Sequence, residues 1–161
     1  MSNVNACTLF EGHYHYGLGA LINSLHSCGF AGVLWVGYRG ELPDWIEQLS
    51  VADENNIYLV AKNFRIFFIK LETQTHFTLY KPDFMLLLIE KYCPTAEFMF
   101  YFDPDIIIKV KWNYFLNWAK HGIALSEDVN SPLSITSPLR CDWRIYFFNR
   151  GIELICKDDI Y

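Results

Sequence analysis

Asp103 and Asp105, with only Pro104 between them, stand in the most apolar stretch of the chain, EFMFYFDPDIIIKV (97–110). On extended backbone, residues two apart point the same way, so both carboxylates can converge on one cation. Hard divalent ions such as Mg²⁺ and Mn²⁺ take oxygen ligands, often one or two carboxylates completed by water and substrate phosphates. A cation there would also offset the cost of two negative charges in apolar surroundings. The same tripeptide is good turn chemistry, with Asp first and Pro second, and would then close a hairpin between FMFYF and IIIKV. Metal site and plain turn are both open on these residues alone.

Other polar residues have less to recommend them. His13 and His15 flank Tyr14 at a spacing that can bind metal, but a loop pair without a third ligand is read as solvent-facing. Glu127 and Asp128 either form an acidic pair near a site or begin a loop. Trp112, Tyr114 and Trp118 have helical spacing and are expected in the core. Ser126 has no base partner, so a Ser–His nucleophile has no support. An apolar strand ending in Asp-x-Asp also suggests a metal-dependent phosphohydrolase of the haloacid dehalogenase type, with Asp103 as nucleophile. Ile107 stands where that motif carries Thr or Val, and the motif comes after about a hundred residues rather than on the first strand.

The elements that would position these residues alternate along the chain. NACTLF (5–10) reads as a strand running into the polar loop EGHYHYG. Leu18, Leu21, Ile22 and Leu25 recur at helical spacing up to Cys28, and Gly29 supplies a stop. GVLWVG (32–37) is a continuous β-branched and aromatic run, hence a strand buried on both faces. Pro43 opens a short helix, and NIYLVA (56–61) is a third strand. FRIFFIKLE (64–72) is strand or irregular edge. KPDFMLLLIEKYC (81–93) reads as a helix with Pro82 near its start, Asp83 in its first turn and Pro94 beyond its end. EFMFYF (97–102) and IIIKV (106–110) read as strands. A helix over 112–122, closed by Gly122, and a strand over 123–127 follow, then a loop over 131–140. CDWRIYFFNRG and IELICKDDIY are ambiguous.

Strand and helix in this alternation predict right-handed βαβ units: a three-layer α/β/α, Rossmann-like domain with a mainly parallel sheet, spanning 1–161. Ligands of such sheets bind outside the carboxyl ends of the strands. The loop after the first strand and the Asp-Pro-Asp both fall on that rim.

Composition narrows the partners. The 161 residues are 52% hydrophobic and 17% aromatic, which argues for one well-filled core. A net charge of −5 with no Lys/Arg stripe gives no nucleic-acid surface. No window reaches the roughly 18 apolar residues of a membrane span, and the N-terminus lacks the pattern of a signal peptide. Five widely spaced cysteines without a Cys-x-x-Cys pair read as reduced thiols, and the expectation is a cytoplasmic protein.

Three stretches carry a family likeness: TLFEGHYHYGLGALINSLHSCGFAGVLWVG, LYKPDFMLLLIEKYCPTAEFMFYFDPDIII and WNYFLNWAKHGIALSEDV. Together they resemble the N-terminal, nucleotide-binding part of a GT-A-fold glycosyltransferase, in particular the glycogenin-like nucleotide-diphospho-sugar transferases. The resemblance implies that Asp103 and Asp105 are the DxD motif, holding Mn²⁺ or Mg²⁺ against the diphosphate of a donor, most readily a UDP-sugar, with Asp103 also touching the ribose. It implies that Thr8, Phe10 and Tyr14 cradle the nucleobase and that Lys81 is a cation beside the donor. It further implies a domain incomplete at its C-terminus: the sugar-contacting Asn/Gly segment and a third metal ligand, often His, would lie beyond Tyr161. The acceptor is unspecified. The expected alternative is a non-catalytic nucleotide-sugar-binding remnant, and the open sheet edge of an incomplete domain leads to an expectation of self-association.

Overall fold

Strand β1 (Val4–Glu11) is buried on both faces from Val4 to Phe10, as expected of a central strand in a parallel sheet. The computed structural model describes residues 4–53, 57–126, 136–149 and 152–155. Contacts divide the chain into two units, residues 1–112 and 113–161.

The first unit is built on a six-stranded sheet. Beside β1 lie β2 (Gly32–Arg39), β3 (Ser50–Asp53), β4 (Ile57–Ala61), β5 (Phe64–Lys70) and β6 (Phe98–Tyr101), in the spatial order β3-β4-β5-β2-β1-β6. β5, β2, β1 and β6 run parallel, while β3 and β4 form an antiparallel extension on one edge. Taken in chain order, the four parallel strands stand 3-2-1-4, the doubly wound order of Rossmann-like sheets.

That order fixes where the helices go. Helix α1 (His15–Ser27) carries the chain from β1 to β2 on one side, and α2 (Phe77–Leu87) carries it from β5 back across β2 and β1 to β6 on the other. With right-handed crossovers the two helices must lie on opposite faces. Side-chain alternation agrees. Cys7, Leu9 and Trp35 pack with Phe77, Phe84 and Leu88 on the α2 face. The other face gathers aromatic rings edge-on: Phe30 stands 4.9 Å from Phe64 and 4.7 Å from Trp112, and Phe100 stands 4.9 Å from Trp112. Such pairs add about 0.5–1.5 kcal/mol each beyond area burial. The β1–β2 register, Cys7 opposite Trp35, is pinned by the Trp35 indole donating to Asn5 Oδ1 at 2.9 Å in the interior. A slip of one residue would exchange the two faces.

The predicted stop at Gly29 takes the form of a Schellman motif. Gly29 adopts φ +87°, its N–H reaches the carbonyl of His26, and Phe30 N–H reaches that of Leu25.

Of the two readings of FRIFFIKLE the strand is present, as β5, parallel to β2 and antiparallel to β4, and the short helix after Pro43 is a 3₁₀ helix (Asp44–Gln48). Other expectations are corrected. Helix α2 begins at Phe77, four residues before Lys81, because the His76 imidazole caps it by accepting the Thr78 N–H and because Phe77 belongs to the core. Pro82 therefore sits inside the helix rather than at its start. The helix then widens into a π turn (Leu88–Tyr92), with Cys93 N–H on the Leu88 carbonyl. IIIKV (106–110) is not a strand: the Ile108 N–H donates to Ser24 Oγ of α1 at 3.0 Å instead of entering a ladder. No hairpin follows the Asp-Pro-Asp.

In the second unit, β7 (Ile123–Ser126) and β8 (Ile152–Ile155) pair in parallel as a separate two-stranded sheet, with α4 (Pro138–Phe148) between them in the chain. Of the strand expected over 123–127, the described residues 123–126 are present as β7, and residue 127 lies outside the described residues. Helix α3 (Trp112–Ala119) starts at the boundary of the two units. Among the described residues, Cys7, Cys28, Cys93 and Cys141 are free thiols, and no helix is long and apolar enough to cross a membrane.

Candidate functional site

The chain leaves β1 toward one side of the sheet and returns to β6 on the other, so a crevice opens between the carboxyl ends of these two strands. A cleft of about 370 Å³ lies there. Leu9, Phe10 and Glu11 end β1 on one wall. Phe77, Thr78 and Lys81 come from the first turns of α2, and Tyr101, Asp103, Pro104 and Asp105 from the end of β6. Tyr14 contributes from the loop after β1.

The Asp-Pro-Asp segment is a turn, not extended backbone. Ile106 N–H donates to the Asp103 carbonyl at 3.2 Å, with Pro104 and Asp105 at its corner. The premise that period-two alternation aligns the two carboxylates is therefore corrected. What brings them to one cleft is the turn's position at the switch point. Pro104 is buried, and Asp105 is exposed.

Asp103 is the better anchored of the pair. Its Oδ1 lies 2.6 Å from Lys81 Nζ and accepts the Tyr101 hydroxyl at 3.2 Å. The Lys81 ammonium also stands 5.1 Å from the centre of the Tyr101 ring. Burial, and then the Asp103 carboxylate, push the Tyr101 hydroxyl well above the ordinary phenol range, so Tyr101 is a fixed donor at neutral pH.

Glu11 is held from outside the cleft. Arg39, opposite it at the end of β2, donates Nε to Glu11 Oε2 at 3.0 Å and brings Nη2 to 2.7 Å from the same oxygen. Arg39 Nη1 donates to the carbonyls of Thr73 and Thr75 at 3.1 and 3.4 Å, and the guanidinium lies 4.3 Å from the centre of Phe77. One side chain thereby ties the ends of β1 and β2 to the entry of α2.

Of the residues expected from the sequence, Phe10, Tyr14, Lys81, Asp103 and Asp105 line the cleft. Thr8 does not: it is fully buried within β1, and its hydroxyl has no hydrogen-bond partner. Phe10 is itself buried, its ring stacked on Tyr38 at 5.9 Å, whereas Tyr14 is 46% exposed. His13 and His15 form no pair. The His13 ring stacks on Tyr14, and His15 Nδ1 accepts the Trp45 indole N–H at 3.2 Å. Glu127 and Asp128 lie outside the described residues.

Sequence reasoning passed over Glu11, Arg39 and Tyr101. The signal for the first two was available, since each is the polar residue that ends an apolar strand. Tyr101 lies two residues before Asp103.

Of the three carboxylates on the cleft, Glu11, Asp103 and Asp105, the two aspartates offer hard oxygens of the kind Mg²⁺ or Mn²⁺ takes, with phosphate and water completing the shell. Among the described residues no group of three His, Cys, Asp or Glu side chains is placed to hold a metal ion. Set against known protein families and curated proteins, the chain matches no family model and no curated sequence.

Proposed function

We propose that the cleft binds a nucleotide-diphosphate sugar, a UDP-linked donor foremost, for glycosyl transfer to an acceptor. The observation that carries this reading is the convergence of two carboxylates, a lysine and an exposed tyrosine at the switch point between β1 and β6. The resemblance of the helix–strand–DxD segment to the donor site of GT-A glycosyltransferases supports the same assignment. A cleft of about 370 Å³ is of the size that takes a small ligand.

The residues divide the work. Asp103 and Asp105 would hold Mn²⁺ or Mg²⁺, which when bound neutralises charge on the departing nucleoside diphosphate as a Lewis acid. Lys81 supplies a further positive charge for the phosphates. Tyr14 offers an open ring face for the base, and Phe10 backs that wall. Glu11, oriented by Arg39, presents carboxylate oxygens to sugar hydroxyls, which donate to it. Tyr101 orients Asp103 through its hydroxyl.

The test is calorimetry with UDP, in Mn²⁺ and in EDTA, on the full chain and on Asp105→Asn. UDP should bind only with Mn²⁺ and at least about tenfold more weakly to Asp105→Asn, the loss of one metal-ligating carboxylate. Equal binding in EDTA, or in the variant, overturns the reading. A second reading of the same cleft is a nucleotide-sugar-binding module without turnover. It is separated from the first by assaying UDP release from a UDP-sugar in the presence of acceptor glycans. Phosphate release from simple phosphate esters, abolished in Asp103→Asn, would point instead to a phosphohydrolase.

A further inference from the structure

Lys81 and the site proposed for the metal draw on the same carboxylate. The ammonium sits 2.6 Å from Asp103 Oδ1, with both side chains partly open to the cleft, at 30% and 44% exposure. Tyr101 contributes a hydroxyl to that oxygen and a ring face to the ammonium. Asp103 is thus neutralised by a tethered cation, and of the two carboxylates at the turn only Asp105 is left with its charge unanswered by a lysine at contact distance.

We infer that Lys81 competes with the divalent ion for Asp103, so that metal and diphosphate ligand bind cooperatively. The inference rests on the metal-assisted nucleotide site proposed above. A divalent ion within bonding distance of Asp103 would lie within a few ångströms of the ammonium, close enough for strong repulsion in a partly buried cleft. For the ion to enter, Lys81 must leave Asp103. Its flexible four-carbon stem allows this, and its charge needs a new anionic partner. A diphosphate provides one. With the phosphates present, the lysine changes partner instead of losing one, and the cost of admitting the ion falls. Linkage makes the effect reciprocal: the ion raises affinity for the diphosphate by the same factor. Lys81 is therefore a positioning cation that suppresses ion binding until the ligand arrives.

The experiment titrates Mn²⁺ into the full chain by electron paramagnetic resonance, with and without saturating UDP, for the native protein, Lys81→Met and Lys81→Arg. In the native protein, UDP should tighten Mn²⁺ binding by at least about tenfold. In Lys81→Met, Mn²⁺ alone should bind at least about fivefold more tightly than to the native protein, and the gain from UDP should shrink. Lys81→Arg keeps the charge and should keep the coupling. Circular dichroism of both variants verifies folding, and Lys81→Gln replaces Lys81→Met should the latter misfold. Mn²⁺ binding to the neutral variant that is unchanged, weaker or absent overturns the inference. That outcome leaves the donor-site reading intact if the native protein still binds UDP with Mn²⁺. Conversely, tighter Mn²⁺ binding by Lys81→Met with no UDP binding by any form supports the competition and removes the donor-site reading.

Discussion

A Cβ placed on Gly17 would stand 2.7 Å from the carbonyl oxygen of Pro104 and 3.2 Å from the Cα of Asp105. The second residue after the start of α1 and the corner of the Asp-Pro-Asp turn are therefore in backbone contact, and only glycine leaves room for it. A second tie lies two turns along the same helix, where Ser24 Oγ accepts the Ile108 N–H. The turn that carries the two carboxylates is seated on α1.

Gly17→Ala should accordingly act on the site from a distance. The obstructing atoms are backbone, which cannot rotate away, so the turn or the helix must shift. Overpacking of this kind costs about 1–3 kcal/mol, partly offset by the better helix propensity of alanine, about 1 kcal/mol. Urea unfolding should show the net loss, and calorimetry should show Mn²⁺-dependent UDP binding weakened by about tenfold or more. Binding at native affinity would show that the turn's placement against α1 does not matter to the site.

Arg39→Met should loosen the entry to α2 and release Glu11. The Arg39 side chain is 23% exposed and Glu11 42%, so the ion pair by itself contributes little. The larger loss is the guanidinium's bonds to the Thr73 and Thr75 carbonyls and its stacking on Phe77, about 1–2 kcal/mol in all. Arg39→Lys should recover less than half of it, because an ammonium cannot span both partners. Denaturation of the two variants side by side checks the ordering.

Thr8→Val should leave UDP binding unchanged and stability equal or higher by up to about 1 kcal/mol. The substitution is nearly isosteric and removes a buried hydroxyl that has no partner. A loss of UDP affinity would return Thr8 to the site expected for it from the sequence.

Stability should fall on the alkaline side. Burial raises the Cys7 thiol above its ordinary range, and burial with the Asp103 carboxylate raises Tyr101. Both groups stay protonated in the folded chain where the unfolded chain would release their protons. Their contribution is whole below the unfolded values, about 8.5 for Cys and 10 for Tyr, and declines as pH rises above them. For fully buried Cys7 the slope approaches about 1.4 kcal/mol per pH unit. Urea midpoints under reductant between pH 7 and 10.5 should show the fall, and Cys7→Ala should remove the largest part of the portion that begins near pH 8.5, the half-buried Cys28 and Cys93 thiols, also raised by burial, supplying the rest. A midpoint independent of pH in that range would contradict the burial of both groups.

The legible part of this protein was its succession of elements. A continuous apolar run marked β2 because a strand covered on both faces has no polar side to show, and the short NACTLF marked β1 although Asn5 and Thr8 are buried in it. Gly29 marked the end of α1 because the Schellman cap needs a left-handed residue. Less was legible where tertiary contacts override local preference. Pro82 suggested a helix start, yet α2 begins earlier because His76 caps it and Phe77 is drawn into the core. IIIKV has strong strand propensity, yet its backbone is engaged by Ser24 of α1. Phe10 reads as a stacking ring until Tyr38 is found against it.

By itself, the sequence determined an α/β chain whose only paired carboxylates in an apolar run follow a strand, with a lysine-bearing helix before them. These features depend on residue type and spacing over a few neighbours. Tertiary structure alone decided that Lys81 meets Asp103, that Arg39 holds Glu11 and that Gly17 seats Pro104. Each of these contacts joins residues more than twenty positions apart, and each exists because the chain changes direction at β1 and lays α1 and α2 on opposite faces of one sheet.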